Sequence, residues 1–115
     1  MISGLGIDIL NLKRPELYDI EFAKRFMTNQ ELMELNKCIT VKQKRHYLAS
    51  IWSLKEAIIK ATNHQFVFSK IEVKLTNEAP DCYLEGVRLF LSISYEKENL
   101  VAIAIAFPSN GNELE

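Results

Sequence analysis

The chain has 115 residues, 48% of them hydrophobic, which suits one compact domain spanning residues 1–115 with a substantial core. Fourteen basic and fifteen acidic residues leave a formal net charge of −1, which excludes the global basic field of a non-specific nucleic-acid binder. The sequence has no signal-type segment, no apolar run of about 18 residues and no metal-type cysteine spacing. We therefore expect a cytoplasmic protein that does not span a membrane.

The first predicted element is a strand over residues 2–9, an apolar run interrupted by Gly4 and Gly6. Glycines at alternate positions of a strand indicate close approach of another backbone. Asp8 is the ionisable residue of this run, and an unbonded buried polar group costs about 2–7 kcal/mol, with a charge costing more. Asp8 therefore needs a partner, which is either backbone N–H at the strand end or a cation.

Helices are predicted next. Residues 21–36 indicate two short helices with a break near Thr28, because Thr28 and Glu31 have the spacing of a capping box. Residues 41–61 carry the longest helical signal. The apolar stripe of this helix is formed by Tyr47, Leu48, Ile51, Leu54, Ile58 and Ile59. Such a stripe predicts a helix that packs on a sheet.

Four further strands are predicted in the C-terminal half, over residues 70–75, 81–86, 88–95 and 99–107. The last two form a hairpin that turns through residues 96–99, and residues 108–115 are expected to be a frayed tail. Helices between one N-terminal strand and four C-terminal strands predict an α+β domain with a largely antiparallel sheet.

Three residues of the long helix, Trp52, Glu56 and Lys60, stand at successive steps of four and so along one line of its surface. Taken alone, Glu56 and Lys60 also fit an ordinary solvated ion pair. Together with Asp8, they suit a hard cation, because Mg²⁺ commonly takes one or two protein carboxylates and completes its shell with water and substrate phosphates.

Four longer segments occur in this order: GLGIDILNLKR, FAKRFMTNQEL, YLASIWSLKEAIIKA and LFLSISYEKENLVAIAIAF. Together they resemble the holo-acyl-carrier-protein synthases, the short-chain class of 4′-phosphopantetheinyl transferases. The resemblance covers nearly the whole chain. It implies that the phosphopantetheine arm of coenzyme A is transferred to a serine of an acyl carrier protein of fatty acid biosynthesis, with release of adenosine 3′,5′-bisphosphate.

The resemblance also implies roles for single residues. Asp8 and Glu56 match the family's metal-binding carboxylates, which would hold Mg²⁺ or Mn²⁺ against the pyrophosphate. Lys60 matches the lysine beside the phosphates, and Glu56 is the candidate base for the attacking serine, directly or through a water. Tyr95 stands where the family usually has a histidine near the coenzyme, so the resemblance makes it a candidate for binding coenzyme A.

Two basic pairs are the candidates for binding the carrier protein: Lys13 with Arg14, and Lys24 with Arg25. In the family, comparable residues face the acidic recognition helix of the carrier. A local patch of this kind steers an acidic partner without a global basic field. The alternative for each of these residues is a solvated surface charge with no partner protein.

The sequence departs from the family pattern at several positions, and these departures keep other functions open. Besides Tyr95, Ile51 replaces an arginine, Glu21 replaces a basic residue, and the loop ATNHQFVF lacks glycine. The alternative functions are a catalytically weak oligomeric module that binds a carrier protein or a nucleotide, and a purely structural domain. The family forms homotrimers, and the apolar strand at residues 99–107 predicts that both of its faces are covered.

Overall fold

The computed structural model describes residues 1–75 and 79–109, which form one α+β domain. Strand β1 (Gly4–Asn11) is followed by a short 3-10 helix and three α-helices. These are α1 (Ile20–Phe26), α2 (Asn29–Lys37) and α3 (Val41–Ala61). The strands β2 (Val73–Leu75), β3 (Pro80–Cys82), β4 (Val87–Glu96) and β5 (Asn99–Pro108) complete the order. The predicted fold class is confirmed. Apart from its first two residues, Pro108 and Ser109, the tail expected at 108–115 lies outside the described residues.

The main sheet has three antiparallel strands in the order β1-β5-β4, so the last strand of the chain lies at its centre. The predicted hairpin between β4 and β5 is confirmed, with Glu96 opposite Asn99 and a two-residue turn between them. Strand β1 pairs with β5 over its full length and places Asp8 opposite Ala102. Among the described residues β1 pairs only with β5, so it is an edge strand of this sheet.

Helix α3 packs across the inner face of this sheet, and two glycines of β1 allow the close approach. A Cβ atom on Gly4 would lie 1.7 Å from the carbonyl oxygen of Ala61, and one on Gly6 would lie 1.9 Å from that of Ala57. Any side chain at these positions would overlap the helix backbone. The predicted close approach is therefore confirmed. It fixes the distance between the backbones of β1 and α3.

Capping boxes begin two of the helices, and the sequence predicts the first of them, at Thr28. Thr28 accepts from the Glu31 backbone N–H at the start of α2, and the Glu31 side chain accepts in return from the Thr28 N–H, which completes the capping box. Thr40 and Gln43 form the same arrangement at the start of α3. Each box satisfies backbone N–H groups that have no partner inside the helix. The break predicted near Thr28 is thus the junction of α1 and α2.

Strands β2 and β3 form a second sheet, and both are shorter than the strands predicted at residues 70–75 and 81–86. Strands β2 and β3 have three residues each and pair only with each other among the described residues. Pro80 opens β3, and a proline has no N–H to donate to a neighbouring strand. The predicted strand at residues 81–86 is interrupted by a turn from Leu84 to Val87, in which Gly86 has a φ of +81°. This left-handed conformation favours glycine.

The outer face of the main sheet carries large apolar side chains that no other element of the described chain covers. On β1, Leu5, Ile7 and Ile9 are each more than half exposed. The side chains that share this face on β5 are half-buried: Val101, Ile103, Ile105 and Phe107. Apolar patches of this kind are uncommon on a monomer and mark an interaction surface. Among the described residues, no helix is both long and apolar enough to cross a membrane.

Candidate active site

The partner of Asp8 is Lys60, which reaches from α3 to the edge of β1. Its Nζ lies 3.5 Å from Asp8 Oδ1 and donates to the carbonyl oxygen of Ile7 at 2.9 Å. Within residues 1–75 and 79–109, no backbone N–H donates to the Asp8 carboxylate, and the cation in contact with it is the Lys60 ammonium. A metal ion at Asp8 stays a prediction. The Asp8 side chain is 15% exposed, which leaves part of the carboxylate open to solvent.

Glu56 lies one turn before Lys60 and belongs to the same group of charges. Burial raises the pKa of the Glu56 carboxyl, and the charge of Asp8 raises it further, while Lys60, His64 and Arg14 act in the opposite direction. In the described part of the chain, the Glu56 carboxylate has neither a hydrogen bond nor an ion pair. It is therefore free to bind a ligand or to accept a proton.

The predicted Glu56–Lys60 ion pair is absent from the described residues, because the Lys60 ammonium turns to β1 instead. Lys60 therefore neutralises Asp8 and is not in contact with the Glu56 carboxylate. Asp8 has a cation at its side, while Glu56 feels the negative charge of Asp8 without a counter-ion in contact. Asp8 and Glu56 together carry two negative charges, and Lys60 supplies one positive charge. The remaining negative charge attracts a further cation.

The donor set of this group suits a hard divalent ion that also binds a phosphate ligand. No cluster of three or more histidine, cysteine or acidic side chains that could hold a metal occurs among the residues described. Asp8 and Glu56 thus supply two oxygen donors. Mg²⁺ is bound by one or two carboxylates with the remaining positions filled by water and phosphate oxygens, so the residues present fit this ion.

His64 joins the site although the sequence analysis treats it as a loop residue. Helix α3 ends in a turn in which Asn63 and His64 have φ values of +54° and +61°. The His64 N–H donates to the carbonyl oxygen of Ile59 at 2.9 Å, which closes the helix end. The imidazole is near enough to lower the pKa of Glu56. The glycine-free loop therefore still contains the left-handed conformation that glycine favours, and histidine is among the residues that tolerate it.

Trp52, the third residue on the predicted line of α3, is a packing residue. Its indole ring lies 5.0 Å from the ring of Phe22 and 4.8 Å from that of Phe26, and it stacks on Phe68 at 5.1 Å. Phe22 and Phe26 belong to α1. This aromatic cluster therefore holds α1 against α3, one turn before Glu56.

The four predicted carrier-facing cations are all exposed: Lys13, Arg14, Lys24 and Arg25. Two of them form surface ion pairs, Lys13 with Glu98 at 3.1 Å and Lys24 with Glu21 at 3.3 Å. Arg14 is the one whose charge acts on Glu56. Lys24 and Arg25 lie in the last turn of the neighbouring helix α1.

Tyr95 does not join the carboxylates within one chain. It lies on the inner face of β4, where its hydroxyl shares a hydrogen bond with Ser50 and its ring centroid is 5.5 Å from that of His46. These contacts are on the N-terminal half of α3. His46 is only partly exposed, and its contact with Tyr95 could not be read from the sequence, because 48 residues separate them. Ile51, which replaces an arginine of the family, is fully buried in the core.

Comparisons with known proteins identify the family of the chain. The family model of the 4′-phosphopantetheinyl transferase superfamily matches residues 4–106. A holo-[acyl-carrier-protein] synthase from Mycoplasma pneumoniae is 40% identical over 112 residues, which cover 92% of this chain and 94% of that protein. The crystal structure of a holo-(acyl-carrier-protein) synthase from Bacillus anthracis in complex with CoA (3′,5′-ADP) is similar with a TM-score of 0.83 and 30% identity, covering 95% of this chain and 99% of that one. Holo-ACP-synthase from Plasmodium yoelii is similar with a TM-score of 0.81 and 31% identity, covering 96% and 98%.

Proposed function

This chain belongs to the holo-[acyl-carrier-protein] synthases of the 4′-phosphopantetheinyl transferase superfamily, and from this premise we propose its reaction in detail. It transfers the 4′-phosphopantetheine arm of coenzyme A to a serine hydroxyl of an apo acyl carrier protein and releases adenosine 3′,5′-bisphosphate. The reaction depends on Mg²⁺, for which Mn²⁺ can substitute. The observation that carries the proposal is the convergence of Asp8, Glu56 and Lys60 where β1 meets α3.

Asp8 and Glu56 are the residues that would hold the metal. A divalent ion bound there supplies charge neutralisation for the pyrophosphate and for the transferred phosphoryl group. The raised pKa of Glu56 supports this assignment, because burial raises it first and the neighbouring Asp8 charge raises it further, and a bound cation would relieve both effects. Lys60 offers an ammonium at the same place, where it can stabilise negative charge on the leaving phosphate.

Glu56 is also the proposed base for the attacking serine. Its carboxylate has no partner among the described residues, and a pKa raised towards neutrality improves a carboxylate as a proton acceptor. The proton passes from the serine hydroxyl to Glu56, directly or through one water. The deprotonated oxygen then attacks the phosphorus atom in line with the departing adenosine bisphosphate.

The carrier protein docks on the exposed cations beside the site. Lys13 and Arg14 follow β1, while Lys24 and Arg25 lie on α1. Arg14 supports this docking surface most directly, since its charge acts on Glu56. An acidic recognition helix lying across both pairs would bring its neighbouring serine towards Glu56, and the cations would steer its approach.

The proposed assembly is a homotrimer with the active site at the subunit boundary. The exposed apolar face of β1 and the half-buried face of β5 support an association between copies of the chain. Tyr95 is separate from the carboxylates within one chain, so a coenzyme-binding role for it requires the Tyr95 of a neighbouring copy. Two free cysteines, Cys38 and Cys82, favour the cytoplasmic location that belongs to this proposal.

The proposal is tested by incubating the protein with apo carrier protein, coenzyme A and Mg²⁺, and measuring the intact mass of the carrier. We expect a gain equal to one phosphopantetheine arm. A chelator should abolish the gain, and added Mg²⁺ or Mn²⁺ should restore it. No gain with several carriers at high enzyme concentration would contradict the transferase and favour a module that only binds the carrier. Transfer that continues in the chelator would remove the metal from the proposal.

A further inference from the structure

Lys55 directly precedes Glu56, yet its side chain is completely buried. Its Nζ lies 2.6 Å from Glu31 Oε1 and donates to the carbonyl oxygens of Phe26 at 2.6 Å and Phe68 at 2.9 Å. A lysine ammonium has three N–H donors, and these three acceptors use all of them. Lys55 therefore has no donor left for coenzyme A and cannot be a catalytic residue.

The partners of Lys55 belong to different elements of the fold. Glu31, which is also buried, caps α2 through the Thr28 N–H at 2.9 Å and accepts from the Val73 N–H of β2 at 2.6 Å. Phe26 is the last residue of α1. A single side chain on α3 thus ties together the end of α1, the start of α2 and the start of β2.

The contact with α1 matters most for the reaction. Lys24 and Arg25 immediately precede Phe26, whose carbonyl oxygen Lys55 binds. On the other side, Lys55 is bonded through the backbone to Glu56. One path from the cations of α1 to the carboxylate therefore runs through a hydrogen bond of 2.6 Å inside the core, beside the aromatic contacts of Trp52 with α1.

We infer that Lys55 is a positioning residue: it fixes helix α1, with its carrier-binding cations, at a set distance and rotation from Glu56. This inference rests on the proposed function. A buried ion pair is a poor source of net stability, because the cost of removing two charges from water offsets their attraction. It is, however, strongly directional, since a rotation of α3 or a shift of α1 would break short bonds to three acceptors at once.

The inference predicts a specific kinetic change when the pair is removed without leaving a buried charge. The double variant Lys55→Met with Glu31→Gln is neutral at both positions, and glutamine is accepted at the third position of a capping box. We expect the KM for the carrier protein to rise at least fivefold, while the KM for coenzyme A stays within twofold of the wild type. Circular dichroism and urea unfolding establish that the measured variant is folded.

The matched control is Leu100→Ala, a buried position in β5, the strand that pairs with β1 and β4. It should change neither KM, because partial unfolding lowers the concentration of active enzyme and leaves the KM of the remaining enzyme unchanged. If this double variant does not fold, Lys55→Gln with Glu31→Gln is measured instead. Glutamine is one bond shorter than lysine and has two N–H donors for the three acceptors, so the contact with α1 is weakened and the carrier KM should rise in the same direction.

Two outcomes would overturn the inference. A folded double variant whose carrier KM stays within twofold of the wild type shows that Lys55 and Glu31 only stabilise the fold. An equal rise in both KM values places the effect at the coenzyme site instead of the docking helix. In both cases the proposed function stands as long as the wild-type protein modifies the carrier. A wild-type protein that neither modifies nor binds the carrier would overturn the proposed function and this inference together.

Discussion

Helix α3 carries two lysine–carboxylate contacts five residues apart, and they differ in almost every physical respect. Lys55 and Glu31 meet at 2.6 Å with both side chains buried, and neighbouring backbone groups satisfy them fully. Lys60 and Asp8 are 3.5 Å apart, with 46% and 15% of their side chains exposed. The first contact is closed to any ligand, whereas the second leaves carboxylate and ammonium groups accessible. The same pairing of residue types therefore serves structure in one place and chemistry in the other.

The largest effect should follow from substitutions at the open group. Asp8→Asn and Glu56→Gln keep the side-chain size and weaken the proposed metal site, so turnover should fall at least about 100-fold, more than is usual for groups that only support a metal ligand. Turnover is measured by the carrier mass assay, and circular dichroism verifies the fold. The control Glu85→Gln lies in an exposed turn and should keep normal turnover. Near-normal rates in both variants would contradict the assignment of these carboxylates.

The two lysines should differ in what they contribute to stability. Lys55→Met leaves Glu31 as an unpaired buried charge, so the free energy of unfolding should fall by about 3–5 kcal/mol. Lys60→Met removes a partly exposed contact and should change it by less than about 1 kcal/mol, while turnover drops. Urea unfolding of both variants under the same conditions measures the difference. Equal losses of unfolding free energy in the two variants would show that the buried and the exposed contact contribute equally to stability.

The raised pKa of Glu56 predicts how stability depends on pH in the absence of a metal. Because folding raises this pKa above the ordinary value of 4.5, the folded state binds the proton more tightly than the unfolded state. The stabilisation is complete below the unfolded pKa and is lost as the pH rises through the folded pKa. The unfolding free energy of the wild type, relative to Glu56→Gln, should therefore fall as the pH rises above the ordinary value of 4.5. A difference that stays constant or increases as the pH rises would contradict the burial of Glu56 beside Asp8.

The smallest effect is expected at the exposed cations. Arg14→Glu should raise the KM for the carrier severalfold and flatten its dependence on salt, because exposed charges act through a field that salt screens. The matched control is Lys74→Glu, an exposed position on β2, which should leave both unchanged. Carrier kinetics at low and high ionic strength provide the measurement. An unchanged KM and salt dependence in Arg14→Glu would mean that Arg14 is only a solvated charge.

Much of the fold could be predicted because local signals determine it. The capping boxes at Thr28 and Thr40 set helix starts within the sequence itself, and the period of the apolar residues identifies α3. The glycines of β1 correctly indicated a close backbone contact. The division into two sheets was not predictable in this way, since strand partners depend on contacts between residues far apart in the chain.

The site was predictable only in part. Asp8, Glu56 and Lys60 were found from residue type and from their resemblance to a known family. The sequence does not show that Lys60 reaches β1 instead of Glu56, because both are within reach of a flexible side chain. Lys55 was missed, although a lysine inside the motif WSLKEAIIKA stands beside apolar neighbours. Its burial depends on three acceptors contributed by other segments, which no local pattern reveals.

The bond from Lys60 to the Ile7 carbonyl oxygen has a consequence for solubility as well. Strand β1 is the edge of the main sheet, and an unpaired edge invites a strand from another molecule to add to it. Lys60 occupies a carbonyl group in the middle of that edge and places a positive charge beside it, which blocks such templating. Lys60 should therefore contribute to resistance against aggregation as well as to the proposed turnover. A neutral residue at position 60 should lower both turnover and resistance to aggregation, whereas arginine would keep a positive charge beside the edge strand.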